Sequence, residues 1–174
     1  MALVGSYVLQ GYESVVRALG GRPADLMAAA DVPLRMSQRN DMTLSYTSYA
    51  TLLELSAESL KQPYFGLLLS QQQTLDVLGV LPLVAAQFET VGEAIEQTAK
   101  AISMQVSAGL GLNIQQNEAA YLLTVDLDVE APHGTAQLRQ MILAHLSMFL
   151  EAITGHSRYD FVSYSSSLGG IQVQ

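Results

Sequence analysis

Cysteine and tryptophan are both absent from the 174 residues of this chain. Without cysteine, the chain can form no disulfide, no cysteine-ligated zinc site and no thiol nucleophile. No run of about 18 apolar residues occurs, so we expect no membrane-spanning helix. Residues 1–5 carry no basic side chain of the kind that opens a secretory signal peptide. These absences together predict a cytoplasmic protein that makes no contact with a membrane.

Charged side chains are also scarce, at 14% of the residues against about 25% in ordinary globular domains. Eight Lys and Arg stand against 16 Asp and Glu, which gives a net charge of −8. Such a chain is poorly suited to nucleic acid, because phosphates are bound by clustered basic side chains. Hydrophobic residues reach 49%, which excludes intrinsic disorder. The composition therefore predicts one acidic domain that has a large core or apolar surface covered by a partner.

Apolar residues at helical spacing dominate most of the sequence. Gly20 and Gly21 end the first helical pattern, and Thr90 with Glu93 forms a capping box before another. Residues 34–44 are predicted to be a polar loop. The predicted helices cover residues 8–19, 23–30, 46–62, 64–71, 90–105 and 135–154, with a further short helix beginning near residue 78.

The pattern changes to strict alternation of apolar and polar residues between residues 106 and 130. This alternation predicts an antiparallel β-hairpin with one buried face and one solvated face. The fold class is therefore predicted as α+β: a mostly helical domain with the hairpin, about residues 106–130, packed against helices. Residues 1–156 form the predicted domain, and the tail, residues 157–174, has room for one edge strand.

Motifs that carry catalysis or bind a metal are not found in the sequence. Neither the G-x-S-x-G pattern of hydrolases nor a glycine-rich phosphate loop occurs. His133, His145 and His156 are too far apart to share a helical metal site. We therefore expect neither an enzyme nor a bound metal or cofactor.

His145 is the first candidate for ligand contact. It lies in the apolar stripe of the last predicted helix, one turn from both Met141 and Phe149. Three interpretations stay open: a core histidine bonded to the backbone or a tyrosine, a histidine that contacts a ligand, and a haem or metal ligand.

Four further residues are candidates for the same role. Arg35 and Arg39 lie in the predicted loop, and a pair of guanidinium groups often holds a carboxylate. If this loop faces a pocket, the ligand is predicted to be an acid such as an amino acid or fatty acid; surface ion pairs are the alternative. Tyr46 and Gln105 complete the predicted site, each with a polar group that could face a cavity.

The order of the helical segments resembles the N-terminal effector-binding domain of AraC-type transcription regulators, in its arabinose-binding-like branch. The hairpin and the helix that ends at Gly155 follow in the order of that family. The segments that carry the resemblance are 22–30 (RPADLMAAA), 63–69 (PYFGLLL), 78–83 (LGVLPL) and 90–95 (TVGEAI).

The resemblance implies a ligand-sensing or dimerisation domain that binds a small intracellular metabolite and controls an attached DNA-binding domain. It also implies a homodimer that reaches DNA only through a C-terminal helix-turn-helix domain. Residues after Gly155 have no helical pattern, so we expect this chain to be a fragment of such a regulator. The alternative is an association or small-molecule-binding module that stands alone and has no role in DNA binding.

Overall fold

The chain forms seven α-helices and five β-strands in a computed structural model that describes residues 2–105, 110–116, 121–155 and 169–173. The α+β class predicted from the sequence is confirmed. The strands are β1 (Leu3–Gly5), β2 (Thr43–Ser45), β3 (Leu110–Gln116), β4 (Tyr121–Leu127) and β5 (Gly169–Val173). The helices are α1 (Tyr12–Ala18), α2 (Pro23–Ala29), α3 (Tyr46–Ser59), α4 (Phe65–Ser70), α5 (Leu81–Ala85), α6 (Val91–Gln105) and α7 (Ala136–Thr154).

Strands β3, β4 and β5 form an antiparallel sheet in that order. The predicted hairpin is its first pair, with Leu110 opposite Leu127 and Ile114 opposite Leu123. Residues 106–109 and 117–120 of the predicted hairpin lie outside the described residues. Strand β5 pairs with the other edge of β4, so a strand from the predicted tail is part of this sheet.

The sequence predicts a polar loop at residues 34–44, whereas the end of this segment belongs to a second, two-stranded sheet. Strand β2 pairs with β1, and Val4 lies opposite Leu44; residues Leu34–Gln38 form a 3₁₀ turn. Both Val4 and Leu44 are buried in the core. A three-residue strand contains too few alternations to produce a pattern, and its partner lies some forty positions away in sequence, so the local sequence could not reveal it.

The predicted helix over residues 8–19 is divided into two elements. Residues Ser6–Leu9 form a 3₁₀ turn, and α1 begins only at Tyr12. Gly11 separates them with φ of +78°, a left-handed conformation that side chains rarely adopt. The chain therefore changes direction at Gly11, which brings Val8 and Gln10 toward the residues that follow α4.

Helix α7 joins two hydrophobic cores. Its first half places Leu138 and Met141 among the buried residues of the N-terminal helices. Its second half places Leu146 and Phe149 in a smaller core with Ala94 and Ile95 of α6 and with the hairpin. A displacement of α7 would consequently change the packing of both cores.

The start of α7 is fixed by hydrogen bonds to two other helices. The amide N–H of Gln137 donates to Oε1 of Glu54 on α3 at 2.7 Å. The side chain of Gln137 accepts from the N–H of Gly66 at 2.9 Å and donates to the carbonyl of Pro63 at 2.9 Å. These bonds satisfy polar groups that a helix end leaves without partners, and they hold α7 against α4.

Candidate ligand-binding site

A cavity of about 520 Å³ lies alongside α7 at the junction of the two cores. This volume falls in the range of roughly 300–1,000 Å³ that small-molecule sites occupy. The residues that line it are Leu3, Val4, Gly5, Tyr7, Val8, Thr43, Tyr46, Tyr49, Val77, Leu78, Gly79, Val80, Leu81, Thr98, Leu110, Gly111, Leu112, Val125, Leu138, Met141, Ile142, His145, Leu146 and Phe149.

The lining is mostly aliphatic. No Asp, Glu, Lys or Arg occurs among the described residues around the cavity. The polar side chains of the lining are Tyr7, Thr43, Tyr46, Tyr49, Thr98 and His145. An apolar cavity with a few polar groups is the usual composition of a site for a small organic ligand.

His145 on α7 is the central polar group of the lining. Its Nε2 atom lies 2.6 Å from Oε1 of Gln73. Burial lowers the pKa of His145 from 6.5 to about 4. The imidazole is therefore neutral at pH 7, and it presents a hydrogen-bonding group to the cavity without a charge.

Gln73 connects His145 to the N-terminal segment. Its Nε2 donates to the carbonyl of Val8 at 2.8 Å and to the carbonyl of Gln10 at 3.2 Å. Gln73 is itself buried, so these bonds satisfy an amide that would otherwise be costly to remove from water. The turn at Gly11 places the two carbonyls where Gln73 can reach them.

Tyr46 and Tyr49 of α3 line the side of the cavity that faces the core of the N-terminal helices. Burial raises the pKa of Tyr46 to about 12, with a smaller contribution from Tyr7. Burial also raises the pKa of Tyr49, whose hydroxyl donates to the carbonyl of Val8 at 3.1 Å. Both phenols are neutral at pH 7, and Val8 accepts hydrogen bonds from Tyr49 and Gln73 together.

Thr98 of α6 contributes a buried hydroxyl without a partner. The residue is 1% exposed, and its Oγ1 has no hydrogen bond to any described residue. The capping box predicted at Thr90 and Glu93 forms in part: the N–H of Glu93 donates to Thr90 Oγ1 at 3.2 Å, but the Glu93 carboxylate accepts from the Thr90 hydroxyl at 3.0 Å. Thr98 lies one turn beyond Ala94, on the buried face of the helix.

A second depression, of about 400 Å³, lies on the outer side of α3. Glu54, Glu58, Lys61 and His133 contribute charged or polar side chains to it. It is open to solvent and takes its lining from one helix and two turns, whereas eight helices and strands contribute to the cavity beside α7. The cavity beside α7 is therefore the better candidate for a specific ligand.

The family described as "arabinose-binding domain of AraC transcription regulator, N-term" matches residues 20–161. The chain belongs to this family. The resemblance noted from the sequence is thereby confirmed, and the family is one of regulatory ligand-binding domains of transcription regulators, not a class of enzymes.

Relatives of this AraC-family domain include HTH-type transcriptional regulator VirS from two strains of Mycobacterium tuberculosis, CDC 1551/Oshkosh and ATCC 25618/H37Rv. Each is 27% identical to the chain over 131 residues. The match covers 75% of the chain and 38% of each relative. The chain thus corresponds to well under half of the length of these regulators.

The structure brings two of the five predicted site residues of this AraC-family domain to the cavity. His145 and Tyr46 line it from α7 and α3. Gln105 is the last residue of α6, and its side chain lies outside the described part of the chain. Ligand contact by any of these residues stays a prediction.

Arg35 and Arg39 do not line the cavity. Arg39 is exposed and forms a bidentate ion pair with Asp41, at 2.8 and 2.5 Å. Arg35 is exposed on the 3₁₀ turn Leu34–Gln38. The prediction of an acidic ligand depended on this loop facing a pocket, but neither arginine lines the cavity. The guanidinium of Arg39 pairs instead with the carboxylate of Asp41, two residues away, on the surface.

Gln73, the hydrogen-bond partner of His145, is among the residues of this AraC-family site that the sequence analysis did not single out. It is the last of three consecutive glutamines in a segment without a helical pattern, so no local signal separates it from Gln71 and Gln72. Only the fold places it between His145 and the carbonyls of Val8 and Gln10.

No helix in the described ranges is long and apolar enough to cross a membrane.

Proposed function

We propose that this AraC-family domain senses a small molecule in the cavity between its two cores and passes the bound state to an attached DNA-binding domain. The observation that carries the proposal is a mostly apolar cavity of about 520 Å³ whose lining includes a neutral histidine, His145. A polar group is costly to bury without all of its hydrogen bonds, and a ligand that pairs with it recovers the cost.

Helix α7 supplies a route by which ligand can change the domain. Met141 and Leu138 belong to one core and Leu146 and Phe149 to the other, and all four also line the cavity. A ligand that fits one arrangement of α7 better than another shifts the population toward that arrangement by its difference in affinity. An attached DNA-binding domain that packs against the surface displaced with α7 would then respond to the bound ligand.

The activity of the whole protein is inferred from the names of its relatives. VirS is named as an HTH-type transcriptional regulator, which supports a DNA-binding domain outside this chain and a site of action in the cytoplasm. We propose that the domain itself catalyses no reaction and that it pairs with a second copy. The alternative function is an association module that binds no ligand. The exposed apolar side chains between residues 75 and 91 favour this alternative.

A thermal-shift screen of this chain against amino acids, organic acids, fatty acids and sugars tests the proposal. A ligand at 100 times its dissociation constant adds about 2.7 kcal/mol to the free energy of unfolding. For a chain of this length, we expect the melting temperature to rise by about 5–10 °C.

Two variants of strand β3 show whether a ligand found in this way occupies the cavity. Leu112→Phe adds volume on the side that lines the cavity and should reduce the temperature shift strongly. Gln115→Phe adds the same ring at an exposed position of the strand and should leave the shift unchanged. Equal shifts in both variants, or no shift with any compound, would contradict the proposal.

A further inference from the structure

We propose that the cavity takes an uncharged, largely apolar molecule whose hydroxyl or N–H group donates a hydrogen bond to Nδ1 of His145. The inference rests on the proposed function, because it specifies the ligand of the same cavity. It goes beyond that function by naming the chemistry of the ligand. Two features carry it: the orientation of Gln73 and the absence of charged side chains among the described residues of the lining.

The orientation of Gln73 determines which nitrogen of His145 carries the proton. The amide nitrogen of Gln73 must face the carbonyls of Val8 and Gln10, because carbonyl oxygens only accept hydrogen bonds. The amide oxygen then faces His145 at 2.6 Å, and it too can only accept. Nε2 of His145 is therefore the donor, and its proton is fixed by a side chain that two backbone carbonyls hold in place.

The other ring nitrogen, Nδ1, is left as an acceptor. A neutral imidazole has a single N–H, and burial keeps His145 neutral at pH 7 by lowering its pKa to about 4. No described residue donates a hydrogen bond to Nδ1. A ligand group that donates completes the hydrogen bonding of His145, whereas an ether or ester oxygen would place two lone pairs against each other.

The described part of the lining disfavours a charged or heavily hydroxylated ligand. Its residues include no cationic side chain to pair with a carboxylate and no anionic side chain to pair with an amine. An ion buried without a partner is unfavourable, and most hydroxyls of a sugar would lie against aliphatic side chains. An apolar molecule with a single donor group pairs with His145 and buries no further polar atoms.

Four probes test this assignment on the 174-residue chain: 1-octanol, its isomer heptyl methyl ether, octanoate and L-arabinose. The two isomers contain the same atoms and differ in that only the alcohol can donate a hydrogen bond. We expect 1-octanol to bind about fivefold more tightly than the ether by isothermal titration calorimetry at pH 7.5. We expect it to bind at least about tenfold more tightly than octanoate or arabinose.

The ¹⁵N chemical shift of His145 provides a second readout that depends on the hydrogen bond itself. The Nδ1 resonance should move upfield when 1-octanol is added and stay unchanged with heptyl methyl ether. In His145→Phe, which keeps a ring of similar size, the alcohol and the ether should bind equally. If this variant does not fold, the affinities and the ¹⁵N shifts of the unmodified chain still decide the question.

The outcomes separate this inference from the proposed function. Equal binding of alcohol and ether, or tighter binding of octanoate or arabinose, overturns the inference and leaves the ligand-sensing role intact. If no probe binds, the compounds that stabilise the chain in the broader screen decide: uncharged donors support the inference, and anions or compounds without a donor overturn it. A screen without any stabilising compound overturns the proposed function and the inference with it.

Discussion

Burial of a neutral histidine makes the stability of this AraC-family domain depend on pH. The folded state holds the pKa of His145 at about 4, against 6.5 for a free side chain. Between these values the unfolded state binds a proton that the folded state does not, so stability rises with pH across this window. We expect His145 to remove on the order of 3 kcal/mol of the free energy of unfolding as the pH falls from 6.5 to 4.

Urea denaturation at several pH values measures this effect at the residue scale. His145→Gln should lose less stability than the unmodified chain between pH 6.5 and 4. His133→Gln replaces an exposed histidine and is the matched control, which should follow the unmodified chain. The tyrosines and threonines of the cavity do not titrate in this window, and its described lining residues include no carboxylate. Identical pH profiles for all three proteins would refute the assignment of a neutral buried His145.

The sequence located His145 correctly but could not assign its environment. Its position in the apolar stripe of α7 follows from helical spacing alone, since Met141 and Phe149 lie one turn away on either side. Its partner, Gln73, lies 72 positions earlier in the chain. A contact of this sequence separation depends on how α7 packs against the N-terminal segment, and no local pattern encodes it.

At the scale of elements, Gly66 controls how closely α4 approaches α7. A Cβ atom added to Gly66 would lie 2.3 Å from the backbone carbonyl oxygen of Gln137. Because the obstacle is backbone, neither helix can relieve the clash by a change of rotamer. We expect Gly66→Ala to lower the free energy of unfolding by about 1–3 kcal/mol, measured by urea denaturation.

Gly111→Ala is the matched control for this element contact. A Cβ at Gly111 would meet atoms of Asp126 at ordinary contact distances of 3.5 to 4.0 Å, and the φ of Gly111 is not left-handed. The control should therefore unfold within about 0.5 kcal/mol of the unmodified chain. If Gly66→Ala is as stable as the control, α4 and α7 are not packed as closely as the structure indicates.

Long periodic segments and the short helices α2 and α4 were predicted well, whereas the three-residue strands were not. Helices α3, α6 and α7 and the β3–β4 pair each repeat their period several times, so the pattern is clear within one segment. Strands β1 and β2 have three residues each and depend on one another across the intervening helices. The turn at Gly11 was missed because apolar residues on both sides of it continued the helical spacing.

At the scale of the whole molecule, the apolar side chains exposed around α5 are the candidate interface between two copies of the chain. Leu83 is 70% exposed, and Leu75, Val80, Phe88 and Val91 are also exposed. Exposed apolar patches on folded domains commonly mark association sites. We expect the chain to sediment as a dimer and Leu83→Asp to shift it toward the monomer without a lower melting temperature.

Leu34→Asp provides the control for this experiment. It introduces the same charge at another exposed leucine, which is 40% accessible and lies in the 3₁₀ turn Leu34–Gln38. Analytical ultracentrifugation of the control should match the unmodified chain. A monomeric unmodified chain, or equal dissociation by both substitutions, would argue against pairing through the segment around α5.

The sequence by itself determined the α+β class, the family and the identity of α7 as a helix with His145 in its apolar stripe. These features arise from periods and segment orders that are read within short stretches of chain. Only the tertiary structure decided that the two cores leave a cavity between them, that Gln73 lies against His145, and that Arg35 and Arg39 lie elsewhere. A cavity exists where several elements fail to fill the space that they share, so its position and polarity depend on their packing together.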